Sequence, residues 1–210
     1  VGRTIGVDAL AAVGAVSPLF MLTMVLTIGL SNGFTVVTGQ RYGAQDMDGM
    51  RRSIGTCIVL SIFFVLLIMG IMHLIMQPAL VAMNIPPELM EDAYAYVMII
   101  VDGLIAMMAY NLLSGIMRSL GDSKTPLYFL IISSIVNIIL ALVFIIYFGW
   151  GVPGSAFALV IAQAFSAVLC VVYIYKRFPQ LHIHRSDFNL DWQELWAHLR
   201  MGLPMAVQFS

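Results

Sequence analysis

Apolar residues fill long unbroken stretches of this chain, and polar residues gather in the gaps between them. Crossing roughly 30 Å of hydrocarbon takes about 20 mostly apolar helical residues. Five stretches reach that length: about Ala9 to Thr38, Ser53 to Met76, Glu91 to Met117, Pro126 to Phe148-Gly149, and Pro153 to Tyr175-Lys176. A sixth apolar helix is expected to start at Met201, with Gly202-Leu203-Pro204 as its first residues. Asp8 suits the N-cap of the first stretch, and Pro126 suits the first turn of the fourth. Membrane strands are excluded, because they need only about 9 to 11 residues with in-out alternation and these runs are continuous. The pattern predicts an all-α integral membrane protein, a polytopic helical bundle.

Composition agrees: 61% of the 210 residues are hydrophobic and 10% are charged, against about 25% charged in an average soluble domain. A net charge of −1 gives no whole-chain argument for a nucleic-acid partner. The placement of charge is more informative. Arg41, Arg51 and Arg52 fall between spans one and two, Arg118 and Lys124 between three and four, and Lys176, Arg177, Arg185 and Arg200 after five. Only Arg3 falls on the other side, so the positive-inside rule puts those connections in the cytoplasm of a multi-pass plasma-membrane protein, the inner membrane in a bacterium. The connection from Arg177 to Arg200 carries Asp187, Asp191, Trp192, Glu194, Leu195 and Trp196 in an amphipathic pattern. Such a segment is expected to lie flat at the cytoplasmic interface with its tryptophans as anchors, joining two lobes of a larger protein.

Inside the spans, polar side chains are expensive and need a reason. The candidates for a substrate or ion pathway are Asp102, Asn137, Asn32, Asn111 and Gln163. Asp102 lies about 16 Å along its helix from Glu91, close to the bilayer centre, and Asn137 reaches a similar depth from the opposite face. Both are expected to face the interior of the bundle rather than lipid. Gly29 and Gly33 form a G-x-x-x-G pair, and Gly154, Ala158, Ala162 and Ser166 form a small-residue stripe with Gln163 beside it, two signals of close helix packing. Cys57 and Cys170 stand in apolar runs without partner spacing and read as small hydrophobes. His182, His184 and Asp187 are too few for a metal site and read as a solvated loop. No phosphate-binding G-x-x-x-x-G-K-[ST] loop, H-E-x-x-H or G-x-S-x-G is present, so nothing points to an enzyme or to a bound cofactor.

Several segments taken together carry a resemblance. They are Asp8 to Gly14, Leu30-Ser31-Asn32-Gly33 through Gln40-Arg41-Tyr42-Gly43-Ala44, Arg118 to Pro126, Val136-Asn137-Ile138-Ile139-Leu140, and Gly151-Val152-Pro153-Gly154-Ser155-Ala156. In order and spacing this set resembles the multidrug and toxic compound extrusion (MATE) family, over spans two to six of its amino-terminal lobe.

The resemblance implies one lobe of a two-lobed transporter of about twelve spans that exports organic cations or drugs in exchange for Na⁺ or H⁺ by alternating access. On this template residues 1–176 form the amino-terminal bundle, with its first span preceding Val1. Residues 177–200 form the cytoplasmic inter-lobe linker with its interfacial helix, and 201–210 begin the carboxyl-terminal lobe. The partners are then the bilayer, a small organic cation, and the first span and second lobe of the same protein. Asn137 matches a family position in an amino-lobe cation site. Two neighbours depart from that pattern: Ala141 stands where some members carry an acid, and Leu159 where they carry Thr. Lipid-linked sugar flippases of the same superfamily, and a non-transporting scaffold or receptor, are the alternative readings. The scarcity of basic residues away from the cytoplasmic side favours drug export over the flippase.

The orientation has a direct test. A cysteine placed at Lys124 in the full-length protein should resist an impermeant thiol reagent in intact cells and react after permeabilisation; labelling from outside would overturn the topology.

Overall fold

A computed structural model describes residues 7–85, 87–181 and 191–209. Its helices are α1 (Val7–Gly43), α2 (Met47–Ala82), α3 (Pro87–Asp102), α4 (Leu104–Ser119), α5 (Lys124–Leu142), α6 (Gly151–Arg177) and α7 (Trp192–Phe209). A π-helical turn, Val143–Tyr147, extends α5, and a short 3₁₀ turn, Pro179–Leu181, follows α6. Four helical segments are long and apolar enough to cross a membrane, and α3 with α4 makes a fifth span bent by 42°. The expected spans are present as four apolar helical segments and the bent α3–α4 pair, with most ends lying further out and the fourth ending at Tyr147. α2 starts at Met47 because Asp46 accepts a hydrogen bond from Gly49 N at 2.9 Å and caps it there. α1 already includes Val7, ahead of the expected cap position at Asp8.

The third span, expected from about Glu91 to Met117, is two helices that break at Gly103. A Cβ there would meet the Val160 side chain of α6, so only glycine lets the bent backbone come this close. The bend turns the span around α6.

Polar residues within α1 are satisfied by the helix itself. Thr23, Thr27, Ser31 and Thr35 are buried at four-residue steps, and each hydroxyl donates to the carbonyl one turn back at 2.8 to 3.1 Å. Hydrocarbon offers no water, so this back-bonding removes most of the cost of burying them. Around that stripe Phe34, Met50, Cys57, Met76, Val97, Leu104 and Ile116 pack into one apolar core. Cys57 and Cys170 are free and buried. The opposite faces are also apolar and exposed, as on α5 at Ile131, Ile135, Ile138 and Ile139, which is what a lipid-facing helix requires.

The helix expected to start at Met201 starts instead at Trp192. Residues 182–190, including His182, His184 and Asp187, lie outside the described residues. α7 runs unbroken from Trp192 to Phe209 with Pro204 inside it, and it lies against α1. The reason is the G-x-x-x-G pair. A Cβ at Gly29 would sit 2.6 Å from Ala206 Cα, and one at Gly33 would sit 2.7 Å from the Met201 carbonyl oxygen and still closer to Gly202. Gly29-x-x-x-Gly33 thus meets Gly202-x-x-x-Ala206 backbone to backbone in antiparallel sense. Polar contacts extend the seam. Arg41 pairs with Glu194 and with Asp46, and the buried His198 sits 2.9 Å from Ser53 Oγ, which is 2.9 Å from Thr38 Oγ1.

The α4–α5 connection is held by Asp122. Its carboxylate accepts from Thr125 N at 3.0 Å and from the Tyr173 hydroxyl of α6 at 2.8 Å. Desolvation pulls its pKa upward, but these hydrogen bonds outweigh that effect and hold it below the ordinary 3.8. Its contribution to stability is therefore complete above pH 3.8 and is lost as pH falls through the lower folded-state value. The gap in melting temperature between full-length protein and its Asp122→Asn variant should be constant near neutrality and shrink below that pH. A gap that does not change with acidification would refute the role. Gly33→Leu should lower stability by about 1–3 kcal/mol through overpacking against α7, read as a lower melting temperature, whereas the same change at the open Gly70 should not.

Candidate ion and substrate site

The small-residue stripe of α6 sets the geometry of the best-formed polar site. Gly154, Ala158, Ala162 and Ser166 are all buried. With no bulk on that face, α5 comes close enough for Ser133 Oγ to donate to the Ala162 carbonyl at 2.8 Å, and for Ser166 Oγ to donate to the Phe129 carbonyl at 3.4 Å. One helix turn from this contact the surfaces part into a cavity of about 250 Å³. Its polar lining is Ser133, Ser134, Asn137 and Gln163, and its apolar walls include Leu130, Ile138 and Leu159. Gln163 Oε1 is buried in this region and accepts no hydrogen bond. An unpaired buried carbonyl oxygen costs about 1–3 kcal/mol, so it marks a place where a ligand or a further protein group would be welcome.

The lining is uncharged. Amide and hydroxyl oxygens are hard ligands of the kind that hold alkali cations or hydrogen-bond an organic cation's substituents. Ala141 and Leu159 contribute no side-chain oxygen, so the polar lining offers dipoles alone.

The other candidates stand elsewhere. Asn32 Oδ1 accepts from Arg118 Nη2 at 3.1 Å, and Arg118 Nη1 donates to Ser114 Oγ at 2.6 Å. Asn111 Nδ2 donates to the Met107 carbonyl of its own helix at 2.9 Å, the arrangement of a packing residue. Asp102 does not face the bundle interior. Its side chain is 62% exposed at the end of α3, where Oδ1 lies 3.3 Å from Nε2 of His73 on α2. Helical periodicity explains the difference: Val97, Val101, Leu104 and Met108 recur on the buried face, and Asp102 falls with Ile105 on the exposed one. Of the five candidates, therefore, only Asn137 and Gln163 share a cavity.

Two residues escaped the sequence reading. Arg118 entered as a topology marker and as the start of a resemblance segment, yet its position one turn from Ser114 already put its guanidinium within reach of a span. His73 was available as the sole histidine within an apolar span, a signal that its nearness to the end of that span obscured. Among the described residues no group of three His, Cys, Asp or Glu could hold a metal ion.

Comparison with known proteins follows the same lines. The family model described as MatE matches residues 1–143. The chain is 33% identical over 214 residues to "Probable multidrug resistance protein YoeA" of Bacillus subtilis, covering 99% of this chain and 46% of that protein. It is 27% identical over 209 residues to "Probable multidrug resistance protein NorM" of Agrobacterium fabrum, covering 97% and 45%. Among solved structures, the one described as "Crystal structure of MATE in the bent conformation" superposes with a TM-score of 0.91 at 28% identity, covering 98% of this chain and 47% of that one. An inward-facing multidrug resistance MATE family transporter of the MOP superfamily gives 0.88 at 28%, covering 95% and 46%. The chain spans about half the length of the curated relatives it matches.

Proposed function

Because the chain belongs to the MatE family, we propose that the protein containing it is a secondary active efflux transporter. It exports organic cations or drugs in exchange for Na⁺ or H⁺ by alternating access, as a multi-pass protein of the bacterial plasma membrane. The relatives named as multidrug resistance proteins support the substrate class. No enzymatic activity is assigned to it, and the coupling ion takes the place of a cofactor.

The observation that carries the reading is the α5–α6 cavity, with Asn137 on one wall and the unpaired Gln163 Oε1 on the other. Polar oxygens facing an open volume between helices are what a transported cation needs, and a purely structural bundle has no use for an unpaired one. Since the lining is neutral, the compensating charge comes from outside the cavity: the first span, the second lobe, or a titratable group elsewhere in this one. Alternating access requires two lobes moving about a shared site, so this half alone is transport-incompetent.

Gln163→Leu separates function from packing. Replacing an unpaired buried amide by an apolar side chain should leave the full-length protein as stable or more so. Cation-coupled export from proteoliposomes should nevertheless fall at least tenfold. A stable variant with undiminished export would remove the cavity from the pathway.

A further inference from the structure

Two apolar volumes join on the face of the bundle shared by α2, α4 and α6. One, of about 340 Å³, lies between Ile54 and Ile58 of α2, Leu113 and Ile116 of α4, and Val171 and Tyr175 of α6. The other, of about 310 Å³, lies between Ser61 and Val65 of α2 and Ile105, Met108 and Ala109 of α4. Ile58 and Leu113 line both, so the two volumes form one groove. Its floor is buried, at Ile54, Val65, Met108 and Ile116, and its rim is exposed, at Ile62, Ile105, Val171 and Tyr175. An apolar groove with an apolar rim, set between membrane spans, opens sideways toward acyl chains and not toward water.

The length of the groove matches one leaflet. From Ile54 to Val65, α2 rises about 16 Å, and half of a hydrocarbon core of roughly 30 Å is about 15 Å. Arg51, Ile54, Ile58, Ser61 and Val65 recur at three- and four-residue steps, so Arg51 stands above the mouth of the groove on the same face of α2. Charge collects at that end. The three helices that form the groove carry Arg51, Arg52, Arg118, Lys176 and Arg177 there, against the single acid Asp48, which pairs with Arg51. A surface ion pair of that kind is weak and leaves the arginine able to take a second anion. Below the mouth none of the groove's lining residues is charged. The groove therefore joins a chain-length apolar bed to a mouth with a clear excess of positive charge.

We propose that this groove binds an anionic phospholipid of the leaflet that faces the basic connections, with one acyl chain along α2 and α4 and the phosphate beside Arg51. The chain replaces the contacts that α2, α4 and α6 do not make with one another, and the phosphate offsets part of the charge at their ends. The site concerns how the bundle is held in the bilayer, and it does not rest on the transport reading.

The test uses full-length protein, purified in detergent and stripped of lipid, with dioleoylphosphatidylglycerol or dioleoylphosphatidylcholine added back. Native mass spectrometry reads the first lipid bound, and the melting temperature reads its effect. Ser61 supplies the blocking variant: its Oγ has no hydrogen-bond partner, so Ser61→Leu removes none and places a branched side chain in the groove. Wild type should bind phosphatidylglycerol at least fivefold more tightly than phosphatidylcholine and melt higher with it. Arg51→Gln should bring the two lipids within twofold of each other. Ser61→Leu should weaken both at least fivefold while the lipid-free protein melts no lower. If it does melt lower, Ala109→Leu fills the same groove from α4 and carries the same expectation. Inorganic phosphate should not displace the lipid, because it has no chain to seat; displacement would reduce the site to a surface anion contact and overturn the proposal. Equal affinity of wild type for the two lipids also overturns it. So does unchanged lipid binding in both groove-filling variants, the result expected if another part of the protein covers this face.

Discussion

At hydrocarbon depth a backbone N–H or C=O has no water to bind, and the rest of this structure follows from that. Each span has to be helical so that its backbone pairs with itself. Each polar side chain inside a span then has to find an acceptor in the protein. On α1 the hydroxyls of Thr23, Thr27, Ser31 and Thr35 turn back onto their own helix. Between α5 and α6, Ser133 and Ser166 reach across to carbonyls of the facing helix. These groups are accounted for by architecture. Gln163 Oε1 and Ser61 Oγ, with no partner, and Asp102, beside a histidine, are residues that architecture alone does not explain.

The same absence of water removes the usual reason for helices to associate, since lipid tails are as apolar as leucine. Association then depends on how closely backbones approach. Gly29 and Gly33 against Gly202 and Ala206 fix α7 along α1, and the α6 stripe fixes α5. Gly103 against Val160 applies the same device to a bend instead of a seam. Each contact is set by the lack of a side chain, so each is sensitive to a single added methyl group.

This explains which features were legible in the sequence. Span number and rough extent follow from apolar length, and both small-residue signals marked real seams. A partner is different. Nothing in the spacing of Gly29 and Gly33 names Gly202 and Ala206, and without that partner Gly202-Leu203-Pro204 looks like a helix start rather than the middle of α7. The start of α2 was placed too late because the helix extends past the apolar run to its cap at Asp46, and apolar length does not register that extension. The expectation for Asp102 assumed a straight span. A single glycine in a long apolar run does not announce a bend, and depth along a span does not say which face a carboxylate takes.

The separation of the two polar sites has a consequence for coupling. A cavity lined by Asn137, Gln163 and serine hydroxyls offers dipoles whose charge does not change with pH, so a cation can bind there without displacing a proton. Exchange requires a group that trades one positive charge for another. Ala141 leaves the α5–α6 cavity without an acid, whereas Asp102, beside His73, stands on a different face. If both sites act in one cycle, what links them is the α3–α4 span: Asp102 closes its first half, and Gly103 rests on Val160 of α6, one residue from Leu159 in the cavity wall. A change in the bend at Gly103 would thus be felt at both sites. It is the shortest physical connection between them that the structure offers, and a two-state bend there would let one site bias the other.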